Sequence, residues 1–141
     1  MKGMELADVG IVVALPLELE AVLAQLGTAE TVEDSTRDIR TYHVGNVRTK
    51  AGNSYRIAVT MPISMGNTDA ALATRDLLDR WSPQFIFMVG IAGGANPSNQ
   101  HLGDVAVSES VLFYEAGKLR SEGMEYRPRS LPGNPLLLSR A

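Results

Sequence analysis

Apolar positions along the chain follow two kinds of pattern, and the order in which these alternate predicts the fold. Val9 to Leu15 (VGIVVAL) is an unbroken, mostly β-branched run without polar alternation, the pattern of a strand covered on both faces. It is expected to be a central parallel strand. Pro16 stands where a helix would begin, and Leu19, Val22, Leu23 and Leu26 follow at i, i+3, i+4 and i+7 before Gly27. That is the stripe of an amphipathic helix, whose first turn tolerates proline. Thr28 to Asn53 is polar and punctuated by Gly45 and Gly52, and an extended segment over Thr41 to Val44 with another nearby predicts hairpin or meander strands.

Tyr55 to Met61 (YRIAVTM) reads as a further strand, followed by a turn over Pro62 to Gly66 and a helix from Asn67 or Thr68 to Trp81. Ala70, Ala73, Thr74, Leu77, Leu78 and Trp81 share one stripe of that helix, with Asp69, Asp76, Asp79 and Arg80 mainly elsewhere. Ser82-Pro83 stops it. Phe85 to Ile91 (FIFMVGI) is a third buried strand running into Gly93-Gly94, and Asp104 to Ser108 and Val111 to Tyr114 carry further strand character. Strands alternating with helices predict an α/β fold, a mostly parallel mixed sheet flanked by helices. With 141 residues, 45% of them hydrophobic, a single domain over 1–141 is expected. Residues 122–141 are expected to form a Pro/Gly-rich tail: Glu122 to Pro135 holds three prolines and two glycines. A helix-like apolar run from Leu136 then stops at Ala141, and more chain or a partner is expected to cover Leu136, Leu137 and Leu138.

Composition narrows the chemistry. Thirteen basic against sixteen acidic residues give a net charge of -3, and no cluster of Lys and Arg could track a phosphate backbone, which argues against nucleic acid as a partner. There is no cysteine, and His43 and His101 are the two histidines, so neither a metal site nor a cofactor is expected. The apolar run near the N-terminus is about seven residues, short of the ~18 a membrane span needs, and no small-residue cleavage site follows it. No membrane association and a cytoplasmic location are expected.

In open α/β sheets ligands bind beyond the C-terminal ends of the strands, here the turns at Leu15 to Glu18, Pro62 to Asn67 and Ile91 to Asn99. All three could line one crevice. Taken alone, Glu18 in a helix first turn reads as a surface carboxylate complementing the helix dipole, and Gly93-Gly94 as a plain turn. Gly90, Gly93 and Gly94 do not make the GxGxxG spacing of a dinucleotide site. His101 reads as a solvated loop residue and His43 as a strand residue. Tyr126, Arg127 and Arg129 read as a solvated loop that could alternatively meet a substrate phosphate. A receiver-like domain is disfavoured, because no paired acidic residues follow the first strand.

Four segments in this order, ALPLELEAV (14–22), SMGNTDAA (64–71), VGIAGG (89–94) and LGDVAVSE (102–109), together resemble the purine nucleoside phosphorylase and nucleosidase superfamily. The style is that of the methylthioadenosine/S-adenosylhomocysteine nucleosidases and of related domains fused to signalling or defence modules. The resemblance covers about residues 8–141 and implies the N-terminal part of an incomplete nucleoside phosphorylase-like domain. By that resemblance Glu18 corresponds to the carboxylate that activates water, Met65 and Gly66 to the loop near the ribose, and Ile91, Ala92 and Gly93 to the segment against the purine. Phosphorylases of the superfamily hold phosphate with an Arg and a Ser or Thr, where this chain has Met88 and Ile91. Neither can bind an oxyanion, so hydrolysis is favoured over phosphorolysis. Ile91 also replaces a small hydroxyl residue usual in the nucleosidases. The acid that protonates the purine, an Asp, and a Met-Glu pair that grips the ribose belong to a C-terminal portion with no counterpart in these residues. The implied function is hydrolysis of the N-glycosidic bond of an adenine nucleoside or nucleotide, inactive in these residues alone. The alternative is a non-catalytic nucleoside-binding or protein-interaction module. The implied partners are a small purine nucleoside or nucleotide and either a second copy in a homodimer or the missing C-terminal portion.

Overall fold

The computed structural model describes residues 6–33, 40–94, 99–121 and 123–140. Outside them fall residues 1–5, part of the expected hairpin region (34–39), residues 95–98 of the expected glycine-rich turn, Glu122 and Ala141. The chain separates into two units, Met1–Gly93 and Gly94–Ala141.

In the first unit the two apolar runs become neighbouring strands of one sheet. β1 (Val9–Val12) pairs in parallel with both β4 (Ser54–Thr60) and β5 (Phe85–Met88). β2 (Glu30–Glu33) and β3 (Thr41–Arg48) add an antiparallel flank, giving the order β2-β3-β4-β1-β5. The sheet is therefore mixed. β1 is an interior strand as expected, whereas β5 is the edge strand among the described residues, and with Phe87 and Met88 38% and 77% exposed the buried strand expected over Phe85 to Ile91 is corrected. Both runs leave the ladder earlier than expected. β1 ends at Val12; the Val13 N–H still donates to Thr60, and the Ala14 and Leu15 N–H groups then turn to Glu18, described below, while β5 ends at Met88 ahead of Gly90.

Successive side chains go to opposite faces, and each face has its own helix. On one side Val12, Tyr42, Val44 and Ala58 pack with Leu77 and Trp81 of α2 (Asn67–Trp81). On the other, Val13, Ile57 and Val59 pack with Leu26 and with Leu19, Val22 and Leu23 of α1 (Pro16–Leu23) and its extension. The α2 stripe is narrower than the sequence pattern: Ala73, Leu77 and Trp81 are fully buried, whereas Leu78 is 43% exposed. α2 ends where expected, with Ser82 as C-cap in the left-handed region at φ 43. Tyr42 meets Trp81 edge-to-face with ring centroids 5.9 Å apart, and the Arg56 and Arg80 guanidinium groups each lie 5.4 Å from the Trp81 ring. The buried Arg40 donates to Asp76 Oδ2 of α2 at 2.6 Å.

Two glycines explain how closely the helices sit. A Cβ on Gly10 would lie 2.5 Å from Leu77 Cδ2, and one on Gly45 would lie 2.9 Å from Leu26 Cβ. Gly45, expected as a break between strands, thus sits inside β3, since only a residue without a side chain admits Leu26 there. Gly10→Ala should destabilise the first unit by about 1–3 kcal/mol through overpacking, read as a lower urea midpoint.

The second unit contains the pairs β6 (Ser110–Phe113) with β9 (Arg129–Pro132) and β7 (Gly117–Arg120) with β8 (Gly123–Tyr126), all antiparallel, followed by α3 (Pro135–Leu138). One expectation is corrected here. Asp104 to Ser108 forms no strand; Val105 and Val107 are 90% and 57% exposed, and the segment finds no pairing partner among the described residues. The Pro/Gly-rich stretch contains β8 and β9 and leads into α3, where the apolar run from Leu136 reads as helix-like. Gly123, at φ +128, permits the tight turn of the β7–β8 hairpin. Asn134 caps α3 by accepting from the backbone N–H groups of Leu136 and Leu137.

Candidate active site

Leu15, in an extended conformation (φ -124, ψ 149), is the N-cap of α1, and Pro16 occupies the first helical position. Proline fixes the turn but brings no donor of its own, and the Leu15 side chain cannot accept a hydrogen bond. Half of a capping box is nonetheless present, because Glu18 at the third helical position reaches back to the turn. Its Oε2 accepts from the N–H groups of Ala14 and Leu15, both at 2.9 Å. Its Oε1 accepts from the N–H of Ile91 at 2.8 Å, 73 residues along the chain. One carboxylate therefore ties the turn after β1 to the turn after β5.

The surface role expected for Glu18 alone is corrected by this arrangement, for the residue is 7% exposed. The Ile91 N–H is the largest influence on its acidity and lowers its pKa from the ordinary 4.5; burial opposes this, and the Ala14 and Leu15 N–H groups reinforce the lowering. Donors directed at the charged form win over desolvation. The carboxylate is held ionised, with consequences for stability. A carboxyl whose pKa is depressed by folding contributes stability that is fully present above its unfolded pKa and is lost as pH falls through the folded value. The urea midpoint of the protein should therefore fall on acidification below about pH 4.5, the ordinary value, and the Glu18→Gln variant should show a shallower fall over the same window.

Next to this turn lies a cavity of about 170 Å³ lined by Val12, Val13, Ala14, Pro62, Ser64, Met65, Gly66, Asn67, Ala70 and Met88. It lies at the C-terminal ends of β1, β4 and β5, where an open α/β sheet places ligands. No lining side chain carries a charge. Gly66 caps α2 at φ +118, a conformation that favours glycine, and Ser64 Oγ donates to Asp69 Oδ2 at 2.5 Å in the first turn of α2. Met65, Met88 and Ile91 are 84%, 77% and 72% exposed, so large apolar side chains stand open at the end of β5 and in the turns after β4 and β5. A larger and shallower depression, about 540 Å³, is lined by Gln25, Gly27, Thr28, Asn46, Val47 and Arg48. None of these residues belongs to the turns that follow β1, β4 and β5, so it is set aside as a binding site for this chemistry.

The structure brings Glu18 and Ile91 into direct contact and places Met65 and Gly66 in the neighbouring cavity wall. Ala92 and Gly93 follow Ile91 as exposed backbone. A Cβ on Gly93 would meet no atom of the described residues within 4 Å, so their packing does not require glycine there. Sequence reasoning missed the roles of Ala14 and Leu15, for which the signal was a carboxylate three residues after an N-cap followed by proline. Tyr126 and Arg129 lie at strand ends, not in a loop, and Arg127 donates to Glu125 at 3.3 Å. His101 is exposed beside Asp104, with 3.8 Å between Nδ1 and Oδ2. Among the described residues no group of three or more His, Cys, Asp or Glu gathers as metal ligands, and no helix is long and apolar enough to cross a membrane.

Comparison with known proteins adds an independent line of observation. Residues 8–137 match the family described as the phosphorylase superfamily. Over 127 residues the chain is 28% identical to a 5'-methylthioadenosine/S-adenosylhomocysteine nucleosidase of Maridesulfovibrio salexigens, covering 90% of this chain and 49% of that protein. It is 30% identical over 119 residues to the ATP nucleosidase Cap17 of Escherichia coli, covering 84% of this chain and 23% of that one. Its fold superposes with a TM-score of 0.62 and 26% identity on the crystal structure of a 5'-methylthioadenosine/S-adenosylhomocysteine nucleosidase from Colwellia psychrerythraea in complex with adenine, covering 80% of this chain and 43% of that one. The chain spans about half the length of the first of these relatives and less of the other two.

Proposed function

Because the chain belongs to the phosphorylase superfamily, we propose that it supplies the water-activating side of a purine nucleosidase site, with Glu18 as general base. The reaction is hydrolysis of the N-glycosidic bond of an adenine nucleoside or nucleotide. One observation carries this reading: a buried, ionised carboxylate is fixed by three backbone N–H groups beside an apolar cavity at the strand ends. The substrate class is supported by relatives named as nucleosidases of methylthioadenosine, S-adenosylhomocysteine and ATP.

Cleavage of such a bond passes through a ribosyl cation-like state, attacked by water on one face while the purine leaves from the other. Glu18 takes a proton from the attacking water, the water oxygen bonds to the anomeric carbon, and the bonding pair leaves with the purine, which an acid protonates. Met65 and Gly66 are assigned to the ribose side, and Ile91, Ala92 and Gly93 to the purine, whose flat face exposed backbone can approach closely. Water is favoured over phosphate as the nucleophile because the cavity lining has no cation and the positions flanking the strand end are Met88 and Ile91; an oxyanion there would lose its hydration without a donor in return. By family resemblance the purine-protonating acid and the ribose-gripping pair come from a C-terminal portion, so the 141 residues alone are expected to be nearly inactive.

Chromatographic detection of free base tests the proposal, with methylthioadenosine, S-adenosylhomocysteine, adenosine and ATP offered to a form of the protein that includes a C-terminal portion. Base release from at least one of them that disappears with Glu18→Gln is the expected result. Saturable adenosine binding with no release from any of the four would favour a nucleoside-binding module instead.

A further inference from the structure

Glu18 cannot reach the Ile91 N–H unless the residue just before Ile91 leaves room for it, and that residue is Gly90. A Cβ on Gly90 would lie 2.7 Å from Glu18 Oε1, 3.1 Å from its Cδ and 3.3 Å from Oε2. The first distance is one that real Cβ atoms essentially never show, and the neighbour is not the free end of a flexible chain. It is a carboxylate already pinned by Ala14, Leu15 and Ile91. Gly90 does not have a positive φ, so its backbone would suit alanine, and what excludes a side chain is the carboxylate alone.

The two oxygens are also unequal. An ionised carboxylate offers about four acceptor positions, two per oxygen. Oε2 has both filled, by Ala14 and Leu15, whereas Oε1 has one filled, by Ile91. Among the described residues, only Oε1 retains an acceptor position for a proton. Building on the nucleosidase reading, we infer that Gly90 is a positioning residue for Glu18: its missing side chain seats Oε1 against the strand end, with the Ile91 N–H on one acceptor position and the other left for the attacking water. Ala14 and Leu15 anchor Oε2 and take no part in the proton transfer.

The first test is a carbon-13 NMR titration of the Glu18 side-chain carboxyl, followed together with the Ile91 amide resonance, in wild type, Gly90→Ala and Glu18→Gln. Neither readout requires turnover, so the result stands whether or not the protein releases base. The groups around Glu18 keep the titration simple. The turns at 13–15 and 89–92 carry no titratable side chain, and Glu20 on α1 is exposed. In wild type the carboxyl midpoint should lie below 4.5, and the Ile91 amide should titrate with the same midpoint. In Gly90→Ala the midpoint should move up toward the ordinary value and the amide should cease to follow it, with the Trp81 indole signal unchanged as evidence of an intact fold. An unaltered midpoint and amide response in Gly90→Ala would overturn the inference. Should that variant not fold, wild type against Glu18→Gln decides: an Ile91 amide that titrates equally in both overturns it, and one that titrates only in wild type supports it. In a form with measurable base release, Gly90→Ala should lower kcat at least tenfold with KM within twofold; a change in KM alone would count against a positioning role.

Discussion

Glu18→Gln should lower the rate of purine release by about 10²- to 10⁴-fold, the range a positioned general base supplies, with little change in KM. The substitution keeps the size of the side chain and removes its charge and basicity. It also creates a local conflict, because the N–H groups of Ala14, Leu15 and Ile91 all point at the carboxylate, and an amide accepts only through its oxygen. If that oxygen faces Ala14 and Leu15, the NH₂ group confronts the Ile91 N–H. Part of the effect will therefore appear as lost stability, which the fluorescence of the single tryptophan, buried Trp81, can separate from lost catalysis. A folded variant that releases base at the wild-type rate would remove Glu18 from the mechanism.

The largest effect on stability is expected at the contact between α2 and the sheet. Leu77 is fully buried, in the cluster with Val12, Tyr42, Ala58 and Trp81, and Leu77→Ala should cost about 2–5 kcal/mol. Leu78, the next residue and part of the same sequence stripe, is 43% exposed, so Leu78→Ala should cost well under that, about 0.5 kcal/mol or less. Urea midpoints followed by Trp81 fluorescence report both. Equal losses would mean that the helix packs on the sheet by a different face.

Periodicity made the frame of the first unit legible. The VGIVVAL run becomes β1, paired on both sides, and the helix ending at Trp81 was bounded by Ser82-Pro83; FIFMVGI also yields a strand, but one at the sheet edge with Phe87 and Met88 38% and 77% exposed. Less legible were features that depend on close approach between distant residues. Gly45 reads in sequence as punctuation and proves to lie inside β3 because Leu26 presses on it. Leu78 fits the α2 stripe by spacing but is 43% exposed, outside the contact that Ala73, Leu77 and Trp81 make. In the second unit, the strand character over Asp104 to Ser108 reflects side-chain preference alone, and a strand exists only where a partner pairs with it. The hairpin of β7 and β8 escaped detection because its strands are short, polar and almost wholly exposed.

The site shows the same division. Glu18 was singled out through a resemblance carried by four segments, and residue type alone gave it a surface role. What distinguishes it physically is the Ile91 N–H, donated from 73 residues away, and no local pattern encodes such a pairing. Gly90 was visible only as a spacing that failed to make a dinucleotide motif, and its significance lies in the carboxylate packed against it. The absence of an oxyanion-binding residue at Met88 and Ile91 was legible in full, since it needs only the identity of two residues.

Free purine base released in phosphate-free buffer, by wild type and Glu18→Gln side by side in a form of the protein that turns over, decides whether Glu18 activates water for glycosidic hydrolysis. The expected result is release that does not depend on added phosphate, leaves an unphosphorylated sugar as the second product, and is lost in the variant. Release that requires phosphate and yields a sugar phosphate, or that continues unchanged without the Glu18 carboxylate, would contradict it.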